Sequence, residues 1–189
     1  MLLLPCRYWP AAMVSNKMTD LDTTSADQDH MDEEKRRPSS LRRRAAARLA
    51  AVQTLFQIKS SGKSAADVVP SFKSHFLPAL LVDFEVTRMD EEHYTRLVFT
   101  ATTDADSIDE QIRPLLKEGW TLERLDEVER SVLRAAYVEL RDTPHIPAKA
   151  VITEFTAIAD SCAGDSDFIN AVLDRFARNL RTVEMSAKN

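Results

Sequence analysis

The sequence predicts an all-α protein, and three observations carry that prediction. Apolar residues recur at spacings of three and four through most of residues 41–180, the period of helices with a buried face. The three glycines, Gly62, Gly119 and Gly164, each fall between two such segments, where short turns belong. No convincing period-2 alternation marks a strand. With 189 residues, 44% hydrophobic and 29% charged, the chain has the composition of a soluble globular protein and the length to bury a core.

Each element follows from its own pattern. Leu41, Ala45, Leu49, Val52 and Phe56 form one stripe, Gly62 ends that helix, and Ser64 can cap the next. Residues 65–82 are apolar but carry Pro70 and Pro78, which predicts a shorter or kinked helix. A stripe from Tyr94 through Leu97, Val98, Ala101, Ala105, Ile108 and Ile112 to Leu115 and Leu116 predicts a long helix, which the weak formers of TATTDADS can kink. LDEVERSVLRAAYVEL has a wide apolar face suited to the middle of a bundle. Pro144 stops it, and Pro147 suits the first turn of a helix lined by Val151, Phe155, Ile158 and Cys162. Gly164 ends that helix, Asp165 or Ser166 caps the last, and Phe168, Ile169, Val172, Leu173, Phe176 and Leu180 give it its stripe.

Charge divides the front of the chain. Residues 19–34 hold seven acids and no Lys or Arg, whereas residues 35–66 hold nine bases and no acid. Too polar to order itself, the acidic stretch reads as a tail, with Met18 and Met31 as alternative starts. Tethered before the bases, it could fold back on them and compete with a polyanion. The opening MLLLPCRYWPAAMV is too short and too interrupted for a signal peptide, and no window approaches membrane-spanning length. Two cysteines, Cys6 and Cys162, do not make a disulfide framework, so a reducing cytoplasm is the expected compartment.

The motifs that could carry chemistry each fall short of a site. SSGKS at 60–64 mimics the end of a phosphate-binding loop, but Gln57 stands where that motif needs glycine and a helix precedes it instead of a strand. Ser60 and Lys63 have nucleophile-like spacing without partners, so a solvated turn is the better reading. His30, His75, His93 and His145 are isolated, which argues against a metal site. Cys162 reads as core. No catalytic set and no cofactor site emerges, and the chain is expected not to be an enzyme.

The basic block resists the bland reading of a solvated face. Seven bases lie within residues 35–48, with no acid nearby in sequence. Arg44 and Arg48 repel at i, i+4, and positive charge at a helix start opposes the dipole. On a helical wheel Arg44 and Arg48 border the apolar stripe while Arg42 and Arg43 splay elsewhere. An arrangement that costs stability in the free protein points to a polyanionic partner, and RNA phosphates fit. No aromatic β platform is present, so specificity is expected to come from a second protein.

Three blocks then resemble the NusB family of transcription antitermination factors: RRRAAARLAAVQTLFQ; VERSVLRAAYVEL followed by IPAKAVITEFTAIA; and DFINAVLDRFAR. They stand in the family's order and span about residues 40–180. The resemblance implies two small helical subdomains, each roughly a three-helix bundle, over residues 39–118 and 119–182, flanked by tails at 1–38 and 183–189. It implies binding of single-stranded boxA RNA from ribosomal RNA leaders together with ribosomal small-subunit protein ten (Nus factor E), with RNA polymerase and other Nus factors joining indirectly. Arg42, Arg43, Arg44, Arg48, Gln53 and Lys149 match RNA-binding positions, and Phe56, Glu129, Asp165 and Phe168 match the partner-binding surface. Gln53, and Asn170 in the last block, serve equally well as bridges between helices. Some relatives pair as homodimers that hide the RNA surface, and the oligomeric state stays open.

The chain departs from the family at Phe56, where tyrosine is commoner, at Ala148, also often tyrosine, and at Thr153, usually asparagine. The same helical domain occurs fused to RNA cytosine methyltransferases, for which this chain has no catalytic segment. A helical protein-interaction scaffold without RNA binding is the competing reading.

Overall fold

The computed structural model describes residues 38–116, 120–162 and 164–186. The expected tail at 1–38, apart from Pro38, and with it the acidic stretch, lies outside the described residues, as do Gly119 and residues 187–189. The described residues are helical and contain no strand.

Helix α1 spans Ser39–Ser61. Gly62 closes it in the left-handed conformation at φ 67°, its N–H donating to the Ile58 carbonyl, a backbone that glycine adopts without a Cβ penalty. Residues 45–56 are all buried, so this helix has no solvent face along twelve positions. Five alanines (Ala45, Ala46, Ala47, Ala50 and Ala51) let neighbouring backbones approach it on several sides. The stripe read from sequence is therefore only part of what is buried: α1 is the central rod of the fold.

Helices α2 (Ala65–His75) and α3 (Leu77–Asp83) resolve the proline-interrupted stretch into two pieces. Ser64 caps α2 through the Asp67 N–H, and Pro78 sits in the first turn of α3, where its missing donor costs nothing. The long-helix stripe divides at Asp104 into α4 (Glu91–Thr103) and α5 (Ala105–Ile112), within the weak-forming segment. Helix α6 (Glu127–Asp142) opens with a capping box: the Asp126 carboxylate accepts from the Glu129 N–H, and the Glu129 carboxylate from the Asp126 N–H. Helix α7 (Ala148–Ser161) follows Pro147, which stands just before the first turn, and α8 (Ser166–Leu180) is capped by Asp165.

The segment from residue 183, read as a tail, belongs instead to a short helix, α9 (Thr182–Ser186). Glu184 accepts there from the Ala148 N–H at 2.7 Å, which supplies a partner for an otherwise orphaned donor at the start of α7. Cys162 is buried at the end of α7, in the core, as its place on the apolar stripe predicts.

Packing joins the helices through one contiguous apolar cluster that runs from Ala46 to Ala177. Helix α1 packs on α4 and α6, and α6 packs in turn on α7 and α8. Helices α1 and α6 run antiparallel, since Arg48 meets Glu139 while Lys59 lies near Glu127. That antiparallel pairing gives the molecule two distinct ends. One holds the start of α1 and the end of α6; the other holds the end of α1 and the starts of α6 and α8.

Candidate nucleic-acid interface

The arginine end is built from the first turns of α1. Arg42, Arg43 and Arg44 are all partly exposed. Contrary to the sequence reading, they do not lack nearby acids: the loop between α3 and α4 supplies them. Arg42 reaches the Glu85 carboxylate at 3.4 Å, and Arg44 lies 3.7 Å from Asp90. The Asp90 N–H donates to the Arg43 carbonyl at 3.0 Å, pinning this loop against α1. Glu85 adopts φ 49°, uncommon for a residue with a Cβ, and the Arg42 pair helps hold it there. These pairs are partly exposed and individually weak, so they leave the arginines available to a stronger polyanion.

Arg48 departs from the sequence expectation. It is 4% exposed and lies under the surface, where its Nε donates to both Glu139 carboxylate oxygens at 3.1 and 2.9 Å. A terminal nitrogen adds a third bond to Glu139 at 2.5 Å, and the other approaches Glu154 at 3.4 Å. His93 bonds the same carboxylate through Nε2 at 3.0 Å. Burial pushes the Glu139 carboxyl up, but hydrogen bonds from His93 and Arg48 and their charges outweigh it and hold it down at about 2. Arg48 is thus spent on an internal ion pair and cannot at the same time face RNA phosphates. Gln53, 3% exposed, is likewise inside the fold. Lys149 remains exposed in the first turn of α7.

Sequence reasoning missed the side chains that complete this end. Arg44, Asp90, Glu92, His93, Arg96 and His145 line one groove between the start of α4 and the α6–α7 connector. Arg96 pairs with the exposed Glu92 at 2.7 Å. The only sequence signal was that His93 falls on the buried face of α4, four residues before Leu97.

The opposite end carries the residues matched to a partner surface, but Phe56, Glu129 and Phe168 are buried there, and of the four only Asp165 is exposed. The Glu129 carboxylate accepts from the Asp165 N–H at 3.3 Å, and the Asp165 carboxylate accepts from the Phe168 N–H at 2.9 Å. One chain of bonds therefore ties the starts of α6 and α8. Burial, then the adjacent Asp126 carboxylate, pushes the Glu129 carboxyl up. Phe168 is buried beneath Trp120, whose ring stacks on it at 5.3 Å while staying 42% exposed. Trp120 is a second omission from the sequence reading. Phe56 lies one turn before Lys59; burial pushes the Glu127 carboxyl up, against the attraction of Arg130, Arg134 and Lys59, which sets this end of α1 beside the start of α6. Along α1, Phe56 and Arg43 are about 20 Å apart at 1.5 Å per residue.

The arrangement defines a class: an all-helical protein around a central helix, with partly exposed arginines beside a mixed-charge groove at one end and the exposed Trp120 and Asp165 at the other. A family model described as the NusB family matches residues 45–178, and the chain belongs to the NusB family. It is 35% identical over 148 residues to the transcription antitermination protein NusB of Bradyrhizobium sp. (strain BTAi1 / ATCC BAA-1182), covering 77% of this chain and 88% of that protein. To the NusB of Rhizobium etli (strain CIAT 652) it is 33% identical, covering 80% of this chain and 96% of the relative. Among solved structures, T. maritima NusB superposes with a TM-score of 0.54 at 27% identity, over 72% of this chain and 90% of that one. A chain from a crystal structure of a plectonemic RNA supercoil superposes with a TM-score of 0.58 over 74% of this chain and 96% of that one; at 23% identity that likeness speaks to the fold. Among the described residues, no helix is long and apolar enough to cross a membrane.

Proposed function

We propose that this protein is a cytoplasmic transcription antitermination factor that binds single-stranded boxA-type RNA of ribosomal RNA leaders together with ribosomal small-subunit protein ten (Nus factor E). RNA polymerase and other Nus factors join through that complex. The reading rests on family membership and on one observation: Arg42, Arg43 and Arg44 stay partly exposed at one end of the central helix, with Arg42 and Arg44 held only by weak, exchangeable pairs. Their phosphate contacts supply affinity through counterion release, and Lys149 adds a further cation. Arg48 and Gln53 act from inside by fixing α1. The ribosomal partner docks at the far end, where Asp165 and Trp120 are exposed above the buried Glu129, Phe168 and Phe56.

Titration of a boxA-like RNA with and without the ribosomal partner tests the assignment. A large gain in affinity on adding the partner is expected, and no RNA binding under either condition would leave the scaffold reading in its place. The arginines predict a second result. Replacing Arg42, Arg43 and Arg44 with alanine should flatten the slope of log affinity against log salt, by about 0.7 for each phosphate no longer neutralised. An unchanged slope would place the RNA elsewhere on the molecule.

A further inference from the structure

We propose that the groove between the start of α4 and the α6–α7 connector is a distinct RNA phosphate subsite, with Arg96 and His145 joining Arg44 around one phosphodiester. The inference rests on the functional reading above and extends it to two residues that neither the arginine-rich block nor the family motifs contain. Arg44 and Arg96 enter the groove from two different helices, and His145 comes from the connector. Three nitrogen-bearing side chains from three separate segments thus border a single opening, which the Asp90 and Glu92 carboxylates also line, and a compact anionic group fits once those two carboxylates give way.

Their present partners hold them loosely. Arg44 stands 3.7 Å from Asp90, beyond hydrogen-bonding distance, and its Nε has no hydrogen-bond partner. Arg96 pairs with Glu92, whose side chain is 84% exposed, so that carboxylate can swing into solvent when a phosphate arrives. The pair contributes little to the fold, which leaves the placement of Arg96 unexplained by stability alone. Behind the rim the groove is rigid. His93 forms part of its wall and is fixed through Nε2 to the buried Glu139, which Arg48 also grips. The subsite therefore combines exchangeable cations at the rim with a locked floor, the division that preorganised anion sites use.

Arg96 and its partner Glu92 give the proposal its sharpest test, because their substitutions predict opposite signs. Arg96→Ala in the full chain should weaken binding of a single-stranded boxA-like RNA roughly five-fold at low salt and flatten the salt slope by about 0.7. Glu92→Gln, which frees Arg96, should tighten it. His145→Ala should weaken binding and Arg96→Lys should retain most of it, while thermal melts stay at the wild-type midpoint for all four variants. Unchanged affinity for both Arg96→Ala and Glu92→Gln, with Arg42→Ala and Arg43→Ala still weakening binding, would overturn the subsite and leave the antitermination reading intact. If wild-type protein fails to bind the RNA at all, both fall. Competition by inorganic phosphate or a nucleoside monophosphate at millimolar concentration, without any effect of Arg96→Ala on RNA, would identify a free-anion site instead and also overturn the proposal.

Discussion

Glu139→Gln is expected to destabilise the protein by about 3 kcal/mol, because it leaves the buried Arg48 charge with a neutral partner and only the longer, single contact to Glu154 at 3.4 Å. The glutamine keeps the shape of the side chain, so the loss reports charge and not a cavity. For a domain of this size, the drop corresponds to a midpoint of thermal unfolding lower by about 10 °C. The acid limb of stability should change as well. Glu139 is held down to about 2 from an ordinary 4.5, so its contribution is fully present above pH 4.5 and is lost as pH falls through about 2. Over that window the wild type should lose about 3 kcal/mol on this account, and the glutamine variant should show a correspondingly shallower decline. Glu129 and Glu127, whose carboxyls burial pushes up, act in the opposite direction and are common to both proteins. Chemical denaturation at pH 7, 4 and 3 measures both effects. Equal slopes in wild type and variant would show that the carboxylate is not held in its charged form by Arg48 and His93.

The same network explains what the sequence conceals. Helix ends were legible because their signals are local: Gly62 for the end of α1, Ser64 for the start of α2, and Asp165, one of two adjacent candidates, for the start of α8. The division at Asp104 was legible too, as a run of weak helix formers. Partners of the arginines were not, because they lie far away in sequence. Glu85 is 43 residues beyond Arg42, and Glu139 is 91 beyond Arg48. A wheel that marks an apolar stripe places Arg48 at the border of that stripe. A helix enclosed on all sides has no border, and only its run of small alanines hints that neighbours approach it closely. The arginine cluster is thus a genuine charge anomaly in the sequence, but one of its members serves the core. His93 and Arg96 escape notice for a related reason, since a groove formed by three segments leaves no spacing in any one of them.

Arg181→Ala is expected to cost a similar amount, about 3–5 kcal/mol, by a different route. Arg181 is 8% exposed and follows α8 directly, yet its guanidinium reaches back to the end of α6. It donates to the carbonyls of Leu140 at 2.7 Å, Thr143 at 2.9 Å and Ile146 at 2.6 Å, and more distantly to those of Glu139 and Pro144. The last carbonyls of a helix have no partners within it and carry the negative end of its dipole, so a cation with several donors suits them. Truncation to alanine would strand buried carbonyl oxygens, which is costlier than the loss of the bonds themselves. Lysine should rescue little, because one ammonium cannot span acceptors spread from Leu140 to Ile146. The connector that Arg181 braces also carries His145 at the edge of the groove, so its amides should lose more protection in the alanine variant than those of α1 do. Hydrogen exchange resolved by residue would separate this outcome from a uniform loss of stability. Retained connector protection in Arg181→Ala would mean that the buried Ile146 and the bond from the Ala148 N–H to Glu184 hold the loop without the guanidinium.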